Sequence, residues 1–138
     1  MLYLLGVLMS DMTEFISYFL PSSLLQYFEI ISIEEGKSLE DPSDEALFIS
    51  LDEKNILPDG YSSTDYESKG FTPAKQIQDF PIRGKAVFFN IRRRIWRNKM
   101  NPQDVIQSTH VLEHKGVKLT KELAAFLKDA GYDLRRYD

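Results

Sequence analysis

The stretch "KQIQDFPIRGKAVFFNIRRRIWRN", Lys75 to Asn98, decides the fold that this sequence predicts. Two runs rich in β-branched and aromatic residues flank Arg83-Gly84, and runs of this composition favour strands. A glycine at the second position of a two-residue turn supplies the positive φ that a tight connection needs. The stretch therefore predicts an antiparallel β-hairpin with a very basic second strand.

Alternation within the second strand assigns its side chains to two faces, because successive strand residues point to opposite sides of a sheet. Val87, Phe89, Ile91 and Ile95 share the face predicted to lie in the core, where Arg93 is the one charged residue. The other face carries Phe88, Asn90, Arg92, Arg94 and Trp96. An aromatic residue at each end, an amide and two arginines are thus predicted to face outward.

The rest of the chain predicts helices at both ends and further strands between them. Apolar residues recur at helical spacing near the N-terminus, at Phe15, Ile16, Phe19 and Leu20 and again at Leu24, Leu25 and Phe28. The clearest helix has an N-cap at Thr120, a C′ glycine at Gly131 and one apolar face made of Leu123, Phe126, Leu127 and Ala130. Further strands are predicted at Glu29 to Ile33, Ala46 to Lys54 and Val105 to Gly116, with a long loop from Asn55 to Pro73.

These elements predict an α+β fold, in which a small antiparallel sheet is built around the basic hairpin and flanked by N-terminal and C-terminal helices. A chain of 138 residues with 43% hydrophobic content fits one domain, residues 1–138. Residues 1–11 are either the start of a buried or dimerising helix or an extension from an upstream start codon, and residues 131–138 form a tail.

Charge is distributed very unevenly along the chain. The net charge is −4, but Met1 to Ile82 holds four basic and fifteen acidic residues, whereas Arg83 to Asp138 holds thirteen basic and six acidic ones. Between Lys69 and Lys99 there are nine basic side chains and one acid, Asp79. Such asymmetry indicates a nucleic-acid or acidic-partner surface confined to one part of the fold.

Several classes of site are disfavoured by composition and spacing. The chain has no cysteine, which excludes disulfides and thiolate metal sites and fits a reducing cytoplasm. The apolar start, Met1 to Met9, is too short to span a bilayer, so no membrane location is predicted. His110 and His114 are placed on a strand and interpreted as structural or surface residues, so no metal or cofactor is predicted.

No phosphate-cradling glycine loop, nucleophile elbow or metalloprotease helix is present in the sequence, and the paired carboxylates lie in loops. The sequence therefore predicts no catalytic residue. The basic strand remains the candidate site, since guanidinium groups bind phosphate bidentately and aromatic rings stack on bases. The predicted nucleic-acid-binding residues are Arg83, Lys85, Phe88, Asn90, Arg92, Arg93, Arg94, Trp96, Arg97 and Lys99.

Three interpretations of this strand stay open on composition alone: a nucleic-acid surface, a surface for an acidic protein, or a solvated face paired with the chain's own acids. Under the first, four to six phosphate contacts would give log K a slope of about −3.5 to −5.5 against log salt.

Five segments in order carry a family resemblance: "YFEI" at Tyr27, "LDEKNILP" at Leu51, "ESKGF" at Glu67, "QDFPIRGKAVFFNIRRRIW" at Gln78 and "KLTKELAAFLK" at Lys118. Together they resemble the N-terminal region of bacterial insertion-sequence transposases of the ISAon type, over about Met12 to Lys128 within a region of residues 12–130. The hairpin is also distantly similar to the zinc-binding N-terminal segment of DDE transposases. That segment's cysteines are absent here, so packing must replace the zinc.

The resemblance implies a non-catalytic DNA-binding module that recognises transposon-end DNA through the basic hairpin. It also implies that the DDE catalytic domain belongs to a separate or downstream polypeptide. The alternative is a protein interaction module that assembles the complex with the catalytic subunit or as a homodimer.

Overall fold

The computed structural model describes residues 13–14, 16–18, 20, 22–108, 111–113 and 121–135. Its helices are α1 (Ser22–Tyr27) and α2 (Lys121–Asp129), preceded by helical residues at 13–14 and 16–17. The strands are β1 (Phe28–Lys37), β2 (Glu45–Glu53), β3 (Tyr66–Phe71), β4 (Lys75–Ile82), β5 (Lys85–Arg92), β6 (Arg94–Asn98), β7 (Val105–Ile106), β8 (Val111–Glu113) and β9 (Asp133–Arg135). Short helices combined with small sheets agree with the coarse α+β class.

The largest sheet has the strand order β1-β2-β5-β4. Two antiparallel hairpins, β1–β2 and β4–β5, lie side by side through their second strands, so β2 and β5 run parallel. The prediction of a purely antiparallel sheet is therefore wrong at the centre of the molecule. Parallel strands are usually buried on both faces, whereas β2 and β5 bury one face in the core and carry polar residues such as Asp52 and Arg92 on the other. Their sequences therefore did not signal this pairing.

The hydrophobic core lies on one face of this four-stranded sheet. Val87, Phe89 and Ile91 of β5 point into it, beside residues of β2 and β4. Helix α2 contacts β4 and α1 contacts β1. The core residues contributed by the helices and the segment after α2 are Leu24, Leu123, Phe126, Leu127, Ala130 and Tyr132. Of the N-terminal residues that the structure describes, Ile16 and Leu20 are also buried here.

The basic strand does not continue as one ribbon but bends at Arg93. Strand β5 ends at Arg92 and β6 begins at Arg94, in a separate sheet of order β3-β6-β7. Thr72 fixes the bend, since its N–H donates to the carbonyl of Arg93 (2.8 Å) and its hydroxyl accepts from the Arg93 N–H (3.1 Å). The face assigned by alternation is therefore interrupted at this residue.

Two of the predicted boundaries are wrong. The loop predicted from Asn55 to Pro73 contains β3, which pairs with β6 and has a register shift between Ser68 and Gly70. The strand predicted from Val105 to Gly116 is split into β7 and β8, which pair with β6 and β9 respectively. Polar and turn-forming residues favoured a loop in the first case, and a weak strand pattern favoured one strand in the second. In both cases the partner strands decided where the strands begin and end.

Further predictions concern His110, His114, Thr120 and residues 1–11. These positions lie outside the described residues.

Two glycines are required by local geometry. The β4–β5 turn has φ values of 50° at Arg83 and 79° at Gly84, the backbone twist that a two-residue hairpin turn needs. At Gly131, φ is 87°, and a Cβ atom would lie 2.8 Å from the carbonyl oxygen of Ser108. Only glycine fits there, so α2 ends where the chain packs closely on the segment after β7.

A buried carboxylate joins the two sheets to the C-terminal segment. Glu53, 1% exposed, accepts hydrogen bonds from the Ser108 hydroxyl (2.5 Å), the Tyr132 hydroxyl and the Arg94 N–H (2.8 Å). Burial and the Glu53 charge raise the pKa of Tyr132, so this phenol stays protonated and donates. The end of β2 is thereby fixed to β6 and to the segment that follows α2.

Candidate nucleic-acid interface

The predicted interface residues are divided between the two sheets. Phe88, Asn90 and Arg92 share the face of β5 opposite the core, as alternation predicts, where they lie beside Phe48, Ser50 and Asp52 of β2 respectively. Arg94 and Trp96 belong to β6 and do not extend that face. The continuous outward stripe inferred from alternation is therefore absent.

Three of the predicted phosphate-binding cations are paired with carboxylates of the same chain. Arg92 donates to both oxygens of Asp52, at 2.7 Å from Nε and 2.6 Å from Nη2. Lys85 lies 3.2 Å from Glu35 and 3.4 Å from Glu45. The remaining pair joins Arg97 to Glu67, at 3.1 Å. These contacts use the donors that the phosphate interpretation needs.

Electrostatics agrees with this pairing. The hydrogen bond to Asp52 raises the pKa of Arg92, and the hydrogen bond to Glu35, supported by the charges of Glu35 and Glu45, raises the pKa of Lys85. Both cations are stabilised in the charged form by groups already present in the fold.

Three further cations bond to neutral oxygens. Arg93 Nη2 donates to the Ala130 carbonyl (2.7 Å), on the core side of the bend. Arg94 donates from Nη1 to the Ser68 hydroxyl (2.7 Å) and from Nε to the Glu53 carbonyl (3.2 Å). Lys99 donates to the Ser63 carbonyl (2.8 Å) and stays exposed. Arginines 92 and 94 also lie over the Phe71 ring, with each Cζ within 4.5 Å of its centroid.

Neither predicted stacking residue is accessible to a base. Trp96 is 0% exposed, and its indole N–H donates to the Asn55 side chain at 2.8 Å. Phe88 is 5% exposed and stacks on Phe48, with ring centroids 5.4 Å apart. Asn90, the predicted base reader, accepts a hydrogen bond from Gln76 at 3.3 Å. The aromatic part of the predicted interface is wrong, because packing uses both rings.

Part of the charge asymmetry of the sequence is neutralised within the fold, by the ion pairs of Lys85, Arg92 and Arg97. Acidic β1 and β2 lie in the same sheet as basic β5, and the parallel β2–β5 register places Asp52 opposite Arg92. Arg83 differs, since it is exposed in the hairpin turn and makes no ion pair within the described residues.

A second surface, which the sequence interpretation missed, lies where the two hairpin loops meet. We call residues 35–45 and 80–86 the hairpin end; the β1–β2 loop and the β4–β5 turn lie together there because β2 and β5 are parallel. Leu39 is 60% exposed and Phe80 is 49% exposed. A cleft of about 240 Å³, lined partly by Glu35, Glu45 and Lys85, lies at this end.

The loop of the hairpin end has a defined conformation. The Ser38 N–H donates to the Asp44 carbonyl (2.9 Å), which closes the loop. The Asp41 carboxylate accepts from the Ser43 hydroxyl (2.7 Å) and N–H (3.0 Å), and these bonds lower the pKa of Asp41. The hairpin end has five carboxylates and three cations, so its net charge is negative. The exposed leucine in the loop was the signal available in the sequence, whereas the placement of the β4–β5 turn at the same end of the sheet depends on the strand order.

Among the residues that the structure describes, no group of three or more histidine, aspartate or glutamate side chains could hold a metal ion. Within the same residues, no helix has both the length and the apolar character needed to cross a membrane. In comparisons with known proteins, no family model, curated protein or solved structure matched this chain.

Proposed function

We propose that this chain is a non-catalytic protein interaction module, which docks a positively charged partner protein at the hairpin end. The observation that carries the proposal is the combination of exposed Leu39 and Phe80 with a net negative charge on one ordered end of a sheet. Large apolar side chains surrounded by charged groups are typical of docking surfaces. The ion pairs of Lys85, Arg92 and Arg97 support protein docking over DNA binding, because these cations already bind carboxylates of the same chain.

The partner proposed is the catalytic polypeptide of an insertion-sequence transposition system, which the resemblance to transposase N-terminal regions implies. Proteins that bind DNA have positively charged surfaces. The carboxylates that flank Leu39 in the sequence would complement such a surface. Cytoplasmic location goes with this proposal, as the absence of cysteine fits a reducing compartment. A homodimer through the same end is the other assembly to be tested.

We expect Phe80→Ser to weaken binding of the catalytic polypeptide at least about tenfold, because buried aromatic anchors contribute most of the binding energy at protein interfaces. The partner to use is the product of the next open reading frame on the same DNA strand. Isothermal titration calorimetry measures the affinity, and light scattering of each protein alone measures self-association.

Met100→Ser is the matched control, because Met100 is 92% exposed but lies after β6 and outside the hairpin end. It should leave the affinity unchanged. The proposal fails if the parent chain neither binds the polypeptide nor self-associates, or if the two variants behave alike. Circular dichroism confirms that both variants fold.

DNA binding is the second candidate function, favoured by the cations that have no carboxylate partner among the described residues. Arg83 is exposed in the hairpin turn. Arg94 of β6 and Lys99, which follows β6, donate hydrogen bonds only to neutral oxygens. These cations lie at separate places rather than in one stripe. We therefore place this function after protein docking.

If the chain binds transposon-end DNA, about three phosphate contacts should give log K a slope of about −3 against log salt, shallower than six contacts would give. Fluorescence anisotropy of a labelled transposon end at several salt concentrations measures the slope. Arg83→Glu should reduce the affinity, whereas Lys128→Glu, on the exposed side of α2, should change it less. A slope near zero would remove DNA binding as a candidate.

A further inference from the structure

A small cleft lies between the segment that joins β3 to β4 and the C-terminal end of α2. Its volume is about 220 Å³. Its apolar lining comes from Pro73, Phe126 and Ala130. Its positive charge comes from Lys75 and Arg93. Pockets for drug-sized ligands are usually larger than about 300 Å³, so this cleft suits a small molecule or the end of a peptide.

Arg93 is only partly used by the fold. Its Nη2 atom donates to the Ala130 carbonyl, but its Nε atom is buried and has no hydrogen-bond partner. Within the described part of the chain, no carboxylate lies at ion-pair distance from Arg93, unlike its neighbour Arg92. A guanidinium group has five N–H donors in a planar fork that matches a carboxylate, so this side chain retains capacity for an acidic ligand.

Lys75 supplies a second cation at the same cleft. Its Nζ atom lies 5.9 Å from the centroid of the Phe126 ring, and no carboxylate pairs with it in the described residues. Asp129 lines the cleft as well, which leaves two cations against one carboxylate. The carbonyl end of α2 adds partial negative charge. This balance suits a singly charged anion better than a phosphate dianion.

We propose that the cleft binds a carboxylate carried on a small aromatic or apolar group, with Arg93 as the main anchor and Lys75 as the second. Phe126 and Pro73 contact the apolar part of the ligand. The free acid of a small molecule and the C-terminal carboxylate of a peptide share this chemistry. The site is separate from the hairpin end and does not depend on the function proposed above.

The test is a titration of the isotope-labelled full chain with sodium benzoate, acetyl-phenylalanine and acetyl-phenylalanine amide, followed by amide chemical shifts. Saturable shifts at residues 72–75 and 126–130 with either acid support the site, and the acid that binds more tightly identifies the source of the carboxylate. Lys75→Gln should weaken binding at least about tenfold, because a charge-assisted hydrogen bond is lost.

Lys37→Gln is the matched control, since Lys37 is an exposed lysine of the hairpin end and should not affect the titration. Arg93→Lys keeps the charge but loses the planar fork, so it should weaken binding as well. Absence of saturable shifts at the cleft overturns the proposal. It is also overturned if the amide binds as tightly as the acid, or if Lys75→Gln and Lys37→Gln bind equally.

Discussion

Glu53→Ala should lower the free energy of unfolding by about 3 to 5 kcal/mol, since each buried hydrogen bond whose acceptor is removed costs about 1 to 3 kcal/mol. The substitution removes the acceptor for bonds donated by Ser108, Tyr132 and the Arg94 N–H. It also leaves a cavity where β2, β6 and the segment after α2 meet. Urea denaturation followed by circular dichroism measures the change.

Glu34→Ala is the control, because Glu34 is an exposed glutamate of β1 and its substitution should change stability by less than about 0.5 kcal/mol. Glu53→Gln keeps the shape and one acceptor oxygen, so its effect should lie between those of the two alanine variants. Equal stability of Glu53→Ala and Glu34→Ala would show that the buried carboxylate does not join the sheets as described.

The alternation of residue types correctly predicted which face each side chain occupies in the part of the site that lies on one uninterrupted strand, β5. Val87, Phe89 and Ile91 do point into the core, and Phe88 and Arg92 do share the opposite face. The period of two is a local property of an extended chain, so residue types within β5 are sufficient to assign its faces.

The bend at Arg93 was not predictable in the same way. It depends on Thr72, which is distant in sequence and bonds to both backbone groups of Arg93. Beyond the bend the strand enters another sheet, and the face assignment of Trp96 no longer follows from that of Phe88. Trp96 is 0% exposed in this second sheet, where its burial is set by the packing around β6 and not by the faces of β5.

The pairing of charges was equally beyond sequence reasoning. Composition shows an acidic first part and a basic second part, a pattern that is the same whether the charges meet a partner or each other. The distinction depends on the strand order β1-β2-β5-β4, which places Asp52 beside Arg92 and both Glu35 and Glu45 beside Lys85. The parallel pairing of β2 with β5, through which the two hairpins meet, left no local signal in the sequence.

Trp96→Ala should lower the free energy of unfolding by about 3 to 5 kcal/mol, because a large buried aromatic side chain is replaced by a cavity. The substitution also removes the hydrogen bond that the indole N–H donates to Asn55. Thermal or urea denaturation measures the loss. Arg97→Ala, at the adjacent position in β6, is the control and should have a much smaller effect because the Arg97–Glu67 pair is partly exposed.

Fluorescence provides an independent readout, because Trp96 is the one tryptophan of the chain. With 0% exposure, its emission should be blue-shifted and resistant to iodide quenching, and transposon-end DNA should leave both unchanged. The opposite result, an accessible indole quenched by DNA, would contradict the burial and restore Trp96 as a stacking residue. A buried indole instead excludes Trp96 as a stacking residue, since an aromatic ring must reach a base before it can stack on it.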